Sequence, residues 1–276
     1  MADRLLLVDG HSLFHRAFHA LPPLMTSDGR PSGALLGFLQ MMMMLLEQEG
    51  PDYAAVALDL PGPTFRDEIY EEYKSHRPPS DDALRAQIPL LGDLLDALGI
   101  TAISSPGYEA DDVIGTLAKR ASAEGMEVVI VTGDRDLLQL VDDNIHVVAT
   151  LRGIKDTKRF DLATVREDYG LEPAQLIELK ALQGDTSDNI PGVTGIGVKS
   201  AQALIEQFGS VEAALAGLEE IVSTRVRKCL EQNPEQARMS RDLAEIRTDV
   251  PIEAALDDLA WEGFPYEKLR EFASLM

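Results

Sequence analysis

Nine carboxylates stand in five short motifs, each set against or beyond an apolar run. Leu-Leu-Val-Asp9-Gly follows the first run and Val-Ala-Leu-Asp59 ends the second. Gly107-Tyr-Glu109-Ala-Asp111-Asp112 comes after the third and Val-Thr-Gly-Asp134-Arg-Asp136 after the fourth. Gly184-Asp185-Thr-Ser-Asp188-Asn189 lies further on, between helix-like segments. So many like charges cannot share a crevice unpaired. Few basic residues stand near them in sequence, so hard cations are the natural partners; Mg²⁺ and Mn²⁺ take carboxylate and water oxygens. Two such ions, roughly 4 Å apart, clamp the attacking and leaving oxygens of a phosphoryl displacement. Taken singly, Asp9 or Asp59 reads as a helix N-cap and Asp112 as a solvated helix face. The five motifs together outweigh those readings. His11, His15 and His19 share one helix face but read as packing or surface residues, since zinc would want cysteine or a closed histidine set.

These carboxylates need a scaffold that gathers them. The first 150 residues alternate apolar runs with helical patterns. Strands are expected at Leu5–Val8, Ala54–Leu58, Thr101–Ser104, Val128–Thr132 and His146–Thr150, nearly all apolar, as in strands covered on both faces. Helices are expected between them, at Asp81–Leu98 and Ala110–Glu124 among others. This is the βαβ signature of an α/β protein with a central, mostly parallel sheet flanked by helices. In such a sheet, residues just past the strand carboxyl ends meet in one crevice, which brings the first four motifs together. Pro61 to Pro79 interrupts the alternation and reads as a long loop or a mobile, partly helical excursion. After residue 160 the pattern is mostly helical: Ala163–Tyr169, Pro173–Leu182, Lys199–Phe208, Ile221–Gln232, Gln236–Ile246 and Tyr266–Ser274. The expected division is 1–160 for the α/β core and 161–276 for a helical part.

Composition narrows the class. The chain has 276 residues, 45 % hydrophobic, enough for a sizeable core. Its longest apolar stretch, Phe38 to Leu46 with methionines at 41 to 44 and broken only by Gln40, is shorter than the about 20 residues that span a bilayer. One cysteine and no basic-then-apolar opening segment fit a reducing cytoplasm. The formal charge of −22 argues against a general polyanion binder. Nucleic acid would have to be met through local basic patches and through metal ions that invert the local charge.

Such features exist. Gly192-Val-Thr-Gly195-Ile-Gly197-Val-Lys199-Ser-Ala201 permits a tight hairpin and a close backbone approach to phosphate, with a helix start offering free N–H groups. With helices on both sides (about 175–208) it reads as a helix–hairpin–helix, or else as an ordinary inter-helix loop. Arg66, Lys74 and Arg77 lie in the proline-bounded excursion, with Tyr73 beside Lys74. Arg152, Lys155, Lys158 and Arg159 form a second basic group, and Arg225, Arg227 and Lys228 a third.

The order Val-Asp-Gly, Tyr-Lys-x-x-Arg, Gly-Tyr-Glu-Ala-Asp-Asp, Thr-Gly-Asp-Arg-Asp and Gly-Asp-x-Ser-Asp-Asn-x-Pro-Gly-Val-x-Gly-Ile-Gly strongly resembles the bacterial 5′-to-3′ exonucleases. These are flap-endonuclease-like domains found at the N-terminus of DNA polymerase I or free-standing. The resemblance implies a PIN/5′-nuclease-like fold and a structure-selective 5′ nuclease that cuts DNA near single-strand/duplex junctions at a 5′ flap, overhang or nick. It implies a first metal site at Asp9, Asp59, Glu109 and Asp111, with Asp112, Asp134, Asp136, Asp185 and Asp188 as ligands, direct or through water, around a second. It places Arg16, Lys74 and Arg77 at the scissile region, a helical arch at about 61–82, and Arg66, Tyr73, Gly192, Gly195, Gly197 and Lys199 on DNA. The cofactors are two or more Mg²⁺ or Mn²⁺ ions, with K⁺ on the hairpin carbonyls in relatives; a monomer on the nucleoid is expected. Three rivals are open. A PIN-type ribonuclease would carry a similar acidic site. A haloacid-dehalogenase-type phosphatase wants an Asp two residues after Asp9, where His11 stands. A non-catalytic DNA-binding scaffold would gain nothing from nine clustered carboxylates.

Overall fold

The computed structural model describes residues 2–153 and 155–275; Met1 and Met276, the outer limits of the two expected parts, lie outside the described residues, as does Ile154. Six strands, β1 (Arg4–Asp9), β2 (Tyr53–Ala57), β3 (Thr101–Ile103), β4 (Glu127–Thr132), β5 (Ile145–Arg152) and β6 (Asp156–Phe160), form one sheet in the order β3-β2-β1-β4-β5-β6. Every pairing is parallel except β5 with β6. The chain runs outward from β1 through β2 to β3, then crosses to β4 on the other side. The strand order therefore switches between β1 and β4, where an open α/β sheet forms its crevice. All five expected strands are present. β6 was not expected: Asp-Thr-Lys-Arg-Phe is charged and largely exposed, as suits an edge strand with one covered face.

The helices of the first half are α1 (Gly10–Ala20), α2 (Gly33–Glu49), α3 (Phe65–Ile69), α4 (Asp82–Arg85), α5 (Leu91–Leu98) and α6 (Ala110–Ala123). Those of the second are α7 (Leu162–Tyr169), α8 (Gln175–Gln183), α9 (Val198–Phe208), α10 (Val211–Ala216), α11 (Thr224–Gln232), α12 (Pro234–Ala244) and α13 (Tyr266–Leu275). The single helix expected over Asp81–Leu98 is broken. Gln87 is buried and turns its amide oxygen onto the N–H groups of Ala34 and Leu35 in the first turn of α2, and a 3₁₀ turn at Ile88–Leu90 contains Pro89. The methionine run lies in α2, where Met41 and Met42 are fully buried.

Alternate residues of each strand face opposite sides. Leu5, Leu7, Val128 and Ile130 pack beneath α6, while Leu6, Val8, Val129 and Val131 pack with α1, α2 and α5. The helical part has its own core of Leu179, Leu182, Ile196, Leu204 and Ile205. Beyond α12 the chain returns to the sheet. Ile246, Val250 and Leu259 join the α6 side, while Trp261, Phe264, Leu269 and Phe272 pack on the other. Within the excursion over 61–82, α3 is its helix and Tyr73 is buried with Ile190, Leu243 and Ala244, while most of residues 71–81 are exposed turn and coil.

Candidate active site

Asp9 ends β1 and caps α1, accepting from Ser12 N–H at 3.0 Å and from the Thr132 hydroxyl at 2.8 Å. Thr132 ends β4, so this bond ties the two strands at the switch point. The same hydroxyl accepts from Asp134 N–H, and Asp134 in turn accepts from Asp136 N–H. Asp59 follows β2 and takes the N–H of Ala110 at 2.7 Å, while His11 Nδ1 accepts the N–H of Asp59 at 3.1 Å. Glu109 caps α6 with Asp112 as its reciprocal partner, which places Glu109 and Asp111 at the helix start. Asp9, Asp59, Glu109, Asp111 and Asp134 line one cleft of about 970 Å³. Burial pushes the Asp9 carboxyl up to about 6, and burial with the charges of Asp9, Asp134 and Glu109 holds Asp111 well above the carboxylate range. Glu109 pairs with Lys74, but among the described residues no lysine or arginine pairs with Asp9, Asp111 or Asp134, as in a site built for cations.

A second group adjoins it. Carboxylate oxygens of Asp136, Asp185 and Asp188 lie within 4.8 Å of one another. Burial pushes Asp136 up to about 6 even though Lys180 touches it. Lys180 Nζ reaches both oxygens of Asp136, at 2.5 and 2.6 Å, and Asp185 at 2.5 Å. Sequence reading missed this lysine because Ile-Glu-Leu-Lys180-Ala-Leu looks like any half-exposed helix. Asp134 stands between the groups: it lines the cleft with Asp9, and its charge acts on both Asp111 and Asp136.

The excursion supplies cations. Lys74, at φ +52°, sets its ammonium 2.7 Å from Glu109 and 3.9 Å from Asp188. Its own N–H donates to the Asp188 carbonyl. Arg77 pairs with Asp188 at 2.6 Å, and the Tyr73 hydroxyl reaches Glu109 and Asp188 at 3.2 and 3.3 Å. Arg16 lines the cleft and donates to the Leu151 carbonyl at 2.5 Å; His11, His15, His19 and Arg152 line it too, so the histidine face is part of the cleft wall.

Two expected site residues are elsewhere, and one is less open than expected. The Asp112 side chain is fully buried, gripped by both terminal nitrogens of Arg66, and it also accepts the N–H groups of Glu109 and Arg247. Arg66, 3 % exposed, also donates to the carbonyls of Leu243 and Glu245. This pair is an internal brace behind Glu109, with which Arg66 also pairs at 3.5 Å, and neither residue lines the cleft. Tyr73 is buried behind Lys74. The second basic group is dispersed: Lys158 pairs with Asp168, and Arg159 with Glu49 and Glu127.

Between α8 and α9, Asp185 and Ile190 form an antiparallel bridge, and Gly192 and Gly195 have positive φ. A Cβ on Gly192 would strike the Gly184 backbone at 2.3 Å, and one on Gly195 would strike Cys229 Sγ at 2.8 Å. Gly197 has open space around it and caps α9 with Val198 and Lys199 exposed beside it. Arg225, from the third basic group, donates to the Gly195 carbonyl at 2.8 Å.

Comparison with known proteins agrees with this arrangement. Residues 4–170 match the 5′-3′ exonuclease N-terminal resolvase-like domain, and residues 171–267 match the 5′-3′ exonuclease C-terminal SAM fold. DNA polymerase I of Bacillus caldotenax is 46 % identical over 98 % of this chain and 31 % of its own length. That of Bacillus subtilis is 44 % identical over 96 % and 30 %. The chain thus spans about a third of the curated relatives it matches. Among solved structures, T5 5′-exonuclease with zinc superposes at TM-score 0.73 with 22 % identity, over 98 % of this chain and 97 % of that one. A bacteriophage T5 D15 flap endonuclease complex with DNA and metal ions gives 0.72 at 21 %, over 99 % and 98 %. The catalytic core of Rad2 with a DNA substrate gives 0.62 at 18 %, over 99 % and 88 %. The mostly parallel sheet and the helical second part coincide with two consecutive domain matches that run from residue 4 to 267: this chain belongs to the 5′-3′ exonuclease family.

Proposed function

We propose that the chain is a structure-selective 5′ nuclease that hydrolyses DNA phosphodiesters near single-strand/duplex junctions with divalent metal ions. One observation carries this reading: an oxygen-donor cleft whose Asp9, Asp111 and Asp134 pair with no lysine or arginine among the described residues, faced by an excursion that holds Lys74 against Glu109 and Arg77 against Asp188. Asp9, Asp59, Glu109, Asp111 and Asp134 would hold one ion, and Asp136, Asp185 and Asp188 another. Their donor set, carboxylate oxygen throughout, suits Mg²⁺ or Mn²⁺. When bound, such ions supply an activated water and Lewis-acid stabilisation of phosphoryl oxygens.

The chain's own groups do the rest. His11 fixes Asp59 by taking its N–H, and Thr132 fixes Asp9. Lys74 sits on a strained turn with its ammonium at the junction of the two carboxylate groups, where it can meet phosphate charge as that charge redistributes. Arg16 and Arg77 flank the same opening. The α8–loop–α9 unit, read as a helix–hairpin–helix, offers the α9 start and Lys199 to duplex phosphates. A K⁺ ion on the loop carbonyls would compete with Arg225 for that of Gly195. The reported DNA complexes of T5 D15 and Rad2 support a DNA substrate.

The deciding experiment is product analysis on a 5′-end-labelled flapped duplex with and without Mg²⁺, beside single-stranded RNA. Cleavage near the junction only with Mg²⁺ is expected. RNA cleavage with the flap left intact would instead assign a ribonuclease, and no metal-dependent turnover on either would leave a binding scaffold.

A further inference from the structure

The two carboxylate groups differ in what neutralises them. Asp9 takes its hydrogen bonds from a backbone N–H and a hydroxyl, and Asp134 from a backbone N–H. Asp136 and Asp185 are instead joined by one ammonium, that of Lys180, at 2.5 Å from each. Asp188, the third of that group, is covered from the other side by Arg77 and approached by Lys74. Lys180 belongs to the last turns of α8, between the buried Leu179 and Ala181. Its side chain is only 16 % exposed. The backbone cannot move away, so only the four-carbon stem can swing the charge out.

We propose that Lys180 is a resident counter-ion that keeps the second divalent site weak, so that Asp136, Asp185 and Asp188 take an ion only after the Asp9 group has filled. This rests on the metal-dependent reading above. An entering divalent ion must displace the ammonium or share its carboxylates at close range, and like charges repel strongly in so enclosed a place. In the first group Lys74 pairs with Glu109 alone, while among the described residues no lysine or arginine pairs with Asp9, Asp111 or Asp134, so an ion entering there has less to displace. Sequential loading follows, with Lys180 released toward the opening when the second ion arrives.

The test counts Mn²⁺ on the DNA-free protein by electron paramagnetic resonance and calorimetry. The wild type should bind one ion tightly and a second at least about tenfold more weakly. Lys180→Met keeps the length of the stem and removes the charge. It should tighten the second site by about tenfold or more while moving the first by less than about threefold. Lys180→Gln is the second variant, with the same expectation. In the unmodified protein, acylation of Lys180 followed by mass spectrometry should rise when Ca²⁺ saturates both sites. Unchanged or weaker second-site affinity in a variant that retains the first ion would overturn the proposal. So would Lys180 labelling that stays constant or falls with Ca²⁺, and this measurement decides if both variants lose the first ion. A wild type that binds no Mn²⁺ at all would instead defeat the metal-dependent reading itself.

Discussion

Burial holds the Asp9 and Asp136 carboxyls at about 6, above their ordinary 3.8. The folded metal-free protein therefore binds protons there more tightly than the unfolded chain does, and its stability should rise as pH falls from 7 toward 5. Calorimetry of the metal-free protein should show the melting temperature climbing by roughly 5 °C over that interval. Saturating Ca²⁺ competes with those protons, so it should raise the melting temperature more at pH 7 than at pH 5. A melting temperature that falls between pH 7 and 5 in the absence of metal would contradict the buried, undercompensated state of these acids. At the same scale, Asp134→Asn should lower turnover by several orders of magnitude while leaving binding in Ca²⁺ within about tenfold, because most phosphate contacts lie elsewhere. Lys74→Ala should lower the single-turnover rate by about tenfold or more with little change in duplex affinity, since its charge sits at the carboxylate junction. Equal losses in rate and affinity would make Lys74 a steering residue instead.

Elements carry the brace between Arg66 and Asp112, which links α3, the α6 start and the end of α12. Arg66→Ala would leave a fully buried carboxylate without its partner, at a cost of about 3–5 kcal/mol, measurable by urea unfolding. A loss below about 1 kcal/mol would mean that the brace is not what joins these elements. In the hairpin, Gly195→Val adds strain at φ +89° and a collision with Cys229, so it should destabilise the fold as well as weaken DNA binding. The cleaner probe of the duplex grip is Lys199→Ala, which should flatten the salt dependence of affinity by roughly one phosphate contact and leave the melting temperature unchanged. An unaltered salt slope would remove Lys199 from the DNA surface. The strands were legible because coverage on both faces writes itself as an apolar run, and the first four acidic motifs because each ends or follows such a run. The brace was not legible: Arg66 and Asp112 belong to separate segments, and each alone resembles a surface charge. Lys180 was hidden because Asp136 comes from a separate segment and Asp185, though just past the end of α8, is turned back onto it by the fold. β6 was masked by the charges an edge strand carries on its open face.

The whole molecule, at a formal −22, should repel DNA except where cations stand. Affinity for a flapped duplex should therefore depend on divalent ions far beyond the role proposed for them in cutting. Replacing Ca²⁺ by a chelator at constant ionic strength should weaken binding by about tenfold or more, as the acidic cleft then faces phosphate unscreened. Equal affinity in both conditions would place the whole DNA contact on the hairpin and the basic side chains.

The return of the chain to the sheet after α12 has a consequence for synthesis on the ribosome. Trp261 N–H bonds the Asp52 carbonyl beside β2, and its indole N–H bonds the Leu98 carbonyl at the end of α5. Phe264, Leu269 and Phe272 cover the same side. A nascent chain that has emitted β1 to β6 thus exposes an apolar flank until its residues near 270 leave the exit tunnel, an interval of several seconds at about 5–20 residues per second. During that interval the half-made protein should be a client for holding chaperones, and it lacks Asp185 and Asp188 until late as well. Nascent chains stalled before residue 250 should bind such chaperones and cut no DNA, whereas release of the full stretch should end both conditions together.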